Sequence, residues 1–257
     1  MEPLLDRHSR ILELAHKKGQ VKVDSLAEHF GVTPQTIRRD LNELCGRRLL
    51  HRVHGGAVIR SGVVNYGYEA RREIAEDEKL QIGLAAAALI PDDSSLFINI
   101  GTTTESVARA LSGHSGLLVI SNNIHVANML YQSSGIEVIL TGGLVRKADG
   151  GLVGQMTTEA FDRFKVDYAI IGASAIDPDG TLLDFDFREV KAAQAIIENS
   201  RHRILVADSM KYDRTAPVRI CRISQMETFV TNQPPPEDIA RICAENGVNI
   251  VFPGKSS

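Results

Sequence analysis

Two rhythms of apolar and polar positions divide this chain. Over the first sixty residues the spacing is helical. Leu4, His8, Ile11, Leu12 and Ala15 recur at intervals of three and four, and Gly19 ends the pattern. "VKV" at 21–23 predicts a short extended link. Asp24 or Ser25 is placed to cap a second helix, with Ser25 and Glu28 at the spacing of a capping box. Leu26, Ala27 and Phe30 form its apolar side, and Gly31 supplies a left-handed turn at its end. Thr33 and Pro34 then read as the N-cap and first residue of a third helix, "PQTIRRDLNEL". Two short helices separated by a tight turn make a helix-turn-helix.

In the third helix Ile37, Leu41 and Leu44 fall in one sector, and Gln35, Arg38, Arg39 and Asn42 fall opposite. One side packs; the other offers guanidinium forks and amides near the helix N-terminus, together with Thr33 and Thr36. These groups suit base edges and phosphates in a major groove. The following "LLHRVHGGAVI", 49–59, has two β-prone arms around His54-Gly55-Gly56, which predicts a hairpin with the glycines in the turn. A hairpin after a recognition helix is a wing, and Arg52 and His54 are placed to touch a sugar-phosphate backbone. His51 and His54 lie on opposite faces of a strand and do not form a metal pair. Residues 60–75 lack periodicity and read as a linker.

Beyond residue 75 the rhythm changes to short apolar runs alternating with helices. "EDEKLQIGLAAAALI" predicts a helix ended by Pro91. "LFINI" leads into Gly101-Thr102-Thr103-Thr104 and the helix "ESVARAL". "LLVI" leads into Ser121-Asn122-Asn123 and "HVANMLYQ", and "IEVIL" into Thr141-Gly142-Gly143. "DYAIIGAS", "RILVADS" and "NIVF" are further strands. The pattern predicts an α/β domain with a mainly parallel, doubly wound sheet. Small polar residues at the C-terminal end of strand after strand meet at one crevice, where ligands bind. Gly101 to Thr104, between a strand and a helix N-terminus, make an anion cradle. It has neither G-x-G-x-x-G nor G-K-[ST], so a single small phosphate fits it better than a nucleotide. Lys211 and Lys191 are placed to supply positive charge.

Composition sharpens this division. Residues 1–60 hold 11 Lys and Arg against 7 Asp and Glu, a net +4, and five of the eight histidines; the rest holds 18 against 25, a net −7. A basic segment on an acidic body fits a polyanion-binding module joined to a domain of another kind. The longest apolar block, "IGLAAAALI", is far short of the ~18 residues of a membrane span. Cys45, Cys221 and Cys243 are odd in number and widely spaced, which suits a reducing compartment. A soluble cytoplasmic protein is expected, with no membrane partner, metal or cofactor.

"SLAEHFGVTPQTIRRDLNEL" followed by "LLHRVHGGAV" resembles the N-terminal domain of the DeoR family of bacterial transcriptional regulators. The resemblance implies a winged helix-turn-helix, domain 1–59, and a Rossmann-like sensor domain of phosphosugar-isomerase outline, domain 76–257. Family sensor domains carry "GTT", an Asn-containing loop, "GG", "E-x-x-K" or a close variant, and "DSSK". The corresponding residues are Gly101-Thr102-Thr103, Asn122-Asn123, Gly142-Gly143, Glu189-Val190-Lys191 and Asp208-Ser209-Met210-Lys211, with Met210 a departure.

Such sensor domains resemble ribose-5-phosphate isomerases, which transfer protons with an Asp-Gly-Ala-Asp stretch. The matching stretch here is Ile171-Gly172-Ala173-Ser174, which has no acid. A general base is therefore missing, Glu189 excepted. The expectation is retained phosphate binding without catalysis, in a homo-oligomer, dimer or tetramer, that binds double-stranded operator DNA. The effector implied by resemblance is sn-glycerol 3-phosphate; residue chemistry leaves other sugar phosphates open. An activator, or an isomerase with a DNA-binding arm, remains the alternative.

Overall fold

A computed structural model describes residues 6–18, 20–47, 49–59, 68–73 and 75–254. The chain forms two compact units, Met1–Glu76 and Asp77–Ser257. Predictions on Leu4, Gly19 and residues 60–67 lie outside the described residues.

The first unit runs α1 (Asp6–Lys18), β1 (Gln20–Lys22), α2 (Val23–Phe30), α3 (Pro34–Gly46), β2 (Leu50–Val53), β3 (Gly56–Ile59) and α4 (Tyr68–Glu73). The expected linker therefore contains one short helix, α4. Strands β1, β3 and β2 form an antiparallel sheet with β3 in the middle. Ile11, Ala15, Leu26, Ile37, Leu41 and Leu44 of the helices and Val58 of β3 are buried. Gly31, with φ of 64°, ends α2 and accommodates the left-handed turn. Thr33 caps α3 by accepting the Thr36 N–H at 3.2 Å, and Pro34 follows at the first helical position.

Two local expectations fail for one reason. The second helix starts at Val23, not after Asp24 or Ser25, and no side chain caps it. Instead the Val23 N–H donates to the Gly55 carbonyl at 2.8 Å, so the wing's backbone takes the place of the Ser25–Glu28 box. Of the two wing glycines, only Gly55 is a turn residue, with φ of 71°. Gly56 begins β3 opposite Lys22, and a β-carbon there would overlap the Val21 carbonyl oxygen. Gly56 thus permits the approach of β1, a contact that links positions 35 residues apart.

The second unit runs α5 (Glu76–Ala87), β4 (Ser95–Ile98), α6 (Thr102–Ala110), β5 (Leu117–Ser121), α7 (Ile124–Leu130), β6 (Ile136–Leu140), β7 (Leu144–Val145), β8 (Leu152–Val153), α8 (Gln155–Phe161), β9 (Val166–Ile171), β10 (Ala175–Ile176), β11 (Thr181–Asp184), α9 (Phe187–Glu198), β12 (Ser200–Val206), β13 (Val218–Arg222), β14 (Thr228–Val230), α10 (Glu237–Glu245) and β15 (Asn249–Val251). The main sheet is parallel throughout, in the order β15-β14-β12-β9-β4-β5-β6. Its alternation splits the core in two. Leu96, Ile98, Ile170, Ile204 and Val206 face α5, α6 and α7 through Ile82, Ala86, Val107, Ala108 and Val126. Phe97, Ala169, Ile171 and Leu205 face α8, α9 and α10 through Phe161, Val190, Ile196 and Ile239. Burial on both faces is why these strands read as continuous apolar runs. Strand β14 and the antiparallel sheet β10-β11-β13 were not legible in the sequence. They are two to five residues long, too short for a periodicity to register.

Gly56→Val should lower the unfolding free energy of the winged unit by about 1–3 kcal/mol, because the Val21 backbone must move. Gly46→Ala, where a β-carbon meets nothing within 4 Å, should be neutral or stabilising. Urea unfolding of both variants checks this; equal stability would show that β1 does not need the close approach.

Candidate functional site

In the first unit, α3 presents Gln35, Arg38, Arg39 and Asn42 as exposed residues on the side opposite Ile37, Leu41 and Leu44. Thr33 is exposed and Thr36 half-buried, their hydroxyls 2.9 Å apart. Asp40, between these surfaces, points inward and is 5 % exposed. Arg7 donates to its carboxylate at 2.6 and 2.9 Å, and buried His8 lies 3.3 Å away. Burial alone would raise the Asp40 pKa, but the hydrogen bonds from Arg7 and His8 outweigh it and hold the carboxyl below its usual range. The contact pins α1 to the inner side of α3 and so sets how the outer side is displayed.

The wing residues differ from expectation. His54 is exposed at the hairpin turn. Arg52 is half-buried and donates to the Gly56 carbonyl, so it braces the wing itself. Its neighbour in register is Ala57, and the two-residue turn brings the guanidinium back over its own hairpin.

In the second unit the strand order reverses between β4 and β9, with β5 and β6 on one side and β12, β14 and β15 on the other. A crevice opens at the C-terminal ends of strands at such a point. One lip is Gly101, with φ of 150°, and the first turn of α6. The other is Gly172 to Ser174 after β9. A β-carbon at Gly172 would stand 3.5 Å from Thr104 Cγ2 and 3.8 Å from the Ile100 carbonyl oxygen, so the two lips are close. The first N–H groups of α6 have no partner four residues earlier in the helix, and the helix dipole adds partial positive charge there.

The three threonines part company. Thr102 is half-buried at the start of the turn and Thr103 is 6 % exposed. Thr104, expected to face a ligand, is fully buried and donates to the Asn99 and Gly101 carbonyls at 2.7 and 2.8 Å, closing the turn from below. The asparagines are likewise structural in part. Asn123 caps α7 by accepting the His125 N–H at 2.9 Å and donates to Glu105 at 3.0 Å. Asn122 donates to the Leu152 carbonyl at 3.1 Å, and its buried Oδ1 has no hydrogen-bond partner. Gly142 and Gly143 are exposed, and the Gly142 carbonyl accepts the Thr157 hydroxyl at 2.7 Å. Lys191 is exposed whereas Glu189 is 9 % exposed. Two helical residues two apart point about 200° from each other, so they cannot serve one site. Lys211 lies 4.0 Å from the Asp208 carboxylate, just past β12, with its side chain 15 % exposed.

Sequence reasoning missed Arg146. It directly follows β7, in the turn between β7 and β8, and gathers acids from three places. It donates to Asp149 at 2.8 Å through two nitrogens, to Asp186 at 3.1 Å, and to Glu189. Burial opposes its charge, but Glu189 and Asp149 more than offset that and raise its pKa. Glu189 is pushed up to about 8, first by burial and then by Asp184, against the pull of Arg146. Asp186 stays well below the carboxylate range, chiefly through Arg188. Asp184 accepts the Ser174 hydroxyl at 2.7 Å, and Asp186 joins the same neighbourhood through Arg146. A lone arginine in a Gly-rich loop was the only signal. Its partners lie up to 43 residues away, and no spacing rule joins them. Among the described residues, no three His, Cys, Asp or Glu are placed to hold a metal ion, and no helix is long and apolar enough to cross a membrane.

A family model described as the DeoR-like helix-turn-helix domain matches residues 7–62, and one described as the DeoR C terminal sensor domain matches 74–233. A glycerol-3-phosphate regulon repressor from Escherichia coli strain K12 is 44 % identical over 95 % of this chain and 97 % of its own. A protein of the same name from Haemophilus influenzae is 41 % identical over 96 % of each. Among solved structures, a ribose 5 phosphate isomerase A from Neisseria gonorrhoeae aligns over 52 % of each chain, with 15 % identity and a TM-score of 0.39.

Glu189 carries a sign that can be measured. Folded, it releases its proton near pH 8; an unfolded glutamate does so near about 4.3. Its contribution to stability is therefore full below the lower value and is lost as pH rises through about 8. Glu189→Gln should shrink the fall in melting temperature between about pH 5.5 and about pH 8.5. An equal fall in both proteins would mean that Glu189 does not titrate in this window.

Proposed function

The chain belongs to the DeoR family of transcriptional regulators, and on that premise we propose that it represses genes of glycerol and glycerol 3-phosphate metabolism and leaves its operators when it binds sn-glycerol 3-phosphate. It is a regulator and not an enzyme. The observation that carries the reading is full-length similarity to glycerol-3-phosphate regulon repressors of two organisms.

On this reading Arg38, Arg39, Gln35 and Asn42 meet base edges and phosphates in the major groove, with Thr33 and Thr36 at the helix N-terminus and His54 on the wing. Arg52 acts mainly by bracing that wing. The effector's phosphate sits against Gly101, Thr102 and Thr103 on the first N–H groups of α6, with Lys211 as counter-charge. Two strand spacings separate the ends of β4 and β12, about 10 Å, which is the scale of a small phosphorylated molecule. Thr104, Asn123 and the Gly142-Gly143 pair shape the crevice from behind, and Lys191 has no part in it. The protein acts in the cytoplasm as a homo-oligomer, because a palindromic operator asks for paired recognition helices. The effector must favour the conformation that binds operator poorly, or it shifts nothing.

Gel-shift titration on an operator from a glycerol-utilisation promoter should show release by sn-glycerol 3-phosphate. Arg39→Ala should weaken operator binding by about tenfold or more while effector affinity holds. Thr103→Val with Lys211→Ala should bind operator normally and resist release. Normal release of that double variant would place the effector elsewhere.

A further inference from the structure

Nine large apolar side chains are exposed among the described residues, and five of them, Leu140, Leu144, Val145, Met156 and Phe187, gather at one margin of the second unit. Leu140 ends β6, the last strand of the main sheet. Leu144 and Val145 are the whole of β7. Met156, in the first turn of α8, lies over Gly142, where a β-carbon would overlap its side chain. Arg146 joins the end of β7 to Asp186, the residue before Phe187. Exposed apolar residues scattered singly are ordinary, but a group of them marks an interaction surface.

Strand β7 is also an open edge. It pairs with β8 alone, Leu144 opposite Val153 and Val145 opposite Leu152. The Arg146 N–H donates to the Gly151 carbonyl at 2.7 Å, so these two form a hydrogen-bonded pair. Alternation along an antiparallel ladder makes Val145 and Leu152 the non-bonded pair, and the N–H and C=O of Val145 point away from β8. Exposed edges are commonly guarded by lysine, other charges or proline. Residues 140–145, LTGGLV, have none of these. The edge is held in place, because Arg146 ties the hairpin to α9 through Asp186 and Glu189.

Geometry, charge and area each select a second copy of this chain as the partner. An antiparallel pair of identical strands obeys a two-fold axis, so β7 is complementary to itself. With the axis at Val145, the two valines exchange both N–H···O=C bonds. Residues 61–257 hold 18 Lys and Arg against 25 Asp and Glu, so two copies repel over most of this unit, whereas the strip 140–145 is neutral. In the same register Lys147 falls opposite Gly143 of the second copy, and like charges do not meet. Five side chains exposed by 42–65 % leave on the order of 500 Å² of surface, a large part of the about 800 Å² that each partner gives to a stable interface. The centre of such an interface is apolar.

We propose that the end of β6, strand β7, Met156 and Phe187 form a two-fold interface between copies of this chain, in which β7 pairs antiparallel with its counterpart. The inference rests on the reading that the protein is a homo-oligomer, and it assigns the surface that makes it one.

The test uses the full chain. Sedimentation equilibrium of the natural chain should give a dimer or tetramer. Leu144→Glu with Met156→Glu should halve that mass, or raise the dissociation constant about tenfold or more, because like charges then meet across the axis. Its far-ultraviolet circular dichroism should match that of the natural chain. Val145→Cys is a second arm that does not depend on weakening anything. Cα atoms of a bonded antiparallel pair stand about 5.5 Å apart, within the range of a disulfide. Oxidation with copper phenanthroline should cross-link Val145→Cys into a covalent dimer, well above the background of the natural chain with its own three cysteines. A monomeric natural chain overturns the homo-oligomer reading and this interface together. An oligomer whose mass is unchanged in the folded double variant overturns the interface alone. Absence of cross-linking through Val145→Cys overturns the β7 pairing, and with a misfolded double variant it decides the question by itself.

Discussion

The parallel sheet changes its direction of growth between β4 and β9, and the chemistry of the second unit follows from that reversal. The helix after β4 leaves to one face of the sheet, where Val107 and Leu111 pack; the chain after β9 leads to α9 on the other, where Val190 and Ile196 pack. Two connections departing to opposite faces cannot cover the ground between them. The gap is lined by backbone, because the strands have ended and the helices have only begun. Gly101 and the first turn of α6 gain their anion-binding character from this position. The same residues inside a helix would have their N–H groups already spent.

Each unit also buries a charge next to the surface it displays. Asp40 sits under α3, gripped by Arg7 and His8; Arg146 sits beside the crevice, gripped by Asp149, Asp186 and Glu189. Buried ion pairs contribute little net stability, because desolvation consumes much of the attraction. They do penalise every arrangement in which one partner is missing. The result is geometric: α3 cannot rotate about its axis, and the β7–β8 turn cannot lift from α9, without exposing an unmatched charge. In "RRD" at 38–40, helical geometry turns two charged residues outward and one inward.

Similar neighbours acquire different duties in the same way. Thr102, Thr103 and Thr104 are one run in sequence, yet Thr104 is fully buried and serves the turn that holds the other two in place. Gly55 and Gly56 are another run, one bending the hairpin and one clearing room for β1. A motif read as a block of ligands therefore divides into residues that can meet a ligand and residues that build the support.

The sequence by itself determined the secondary rhythm and the class of each unit. Local rules suffice there: a capping threonine, a proline at the first helical position, a left-handed glycine, and apolar spacings of 3.6 or 2. It also located the strand ends at which small polar residues collect. Tertiary structure decided what depends on distant backbone. The wing's Gly55 carbonyl replaced the expected cap of α2. Arg146 found acids up to 43 residues away. Local spacing fixes which way a residue points along its own element. Only packing fixes what it points at, because buried polar groups must find partners wherever the fold brings them.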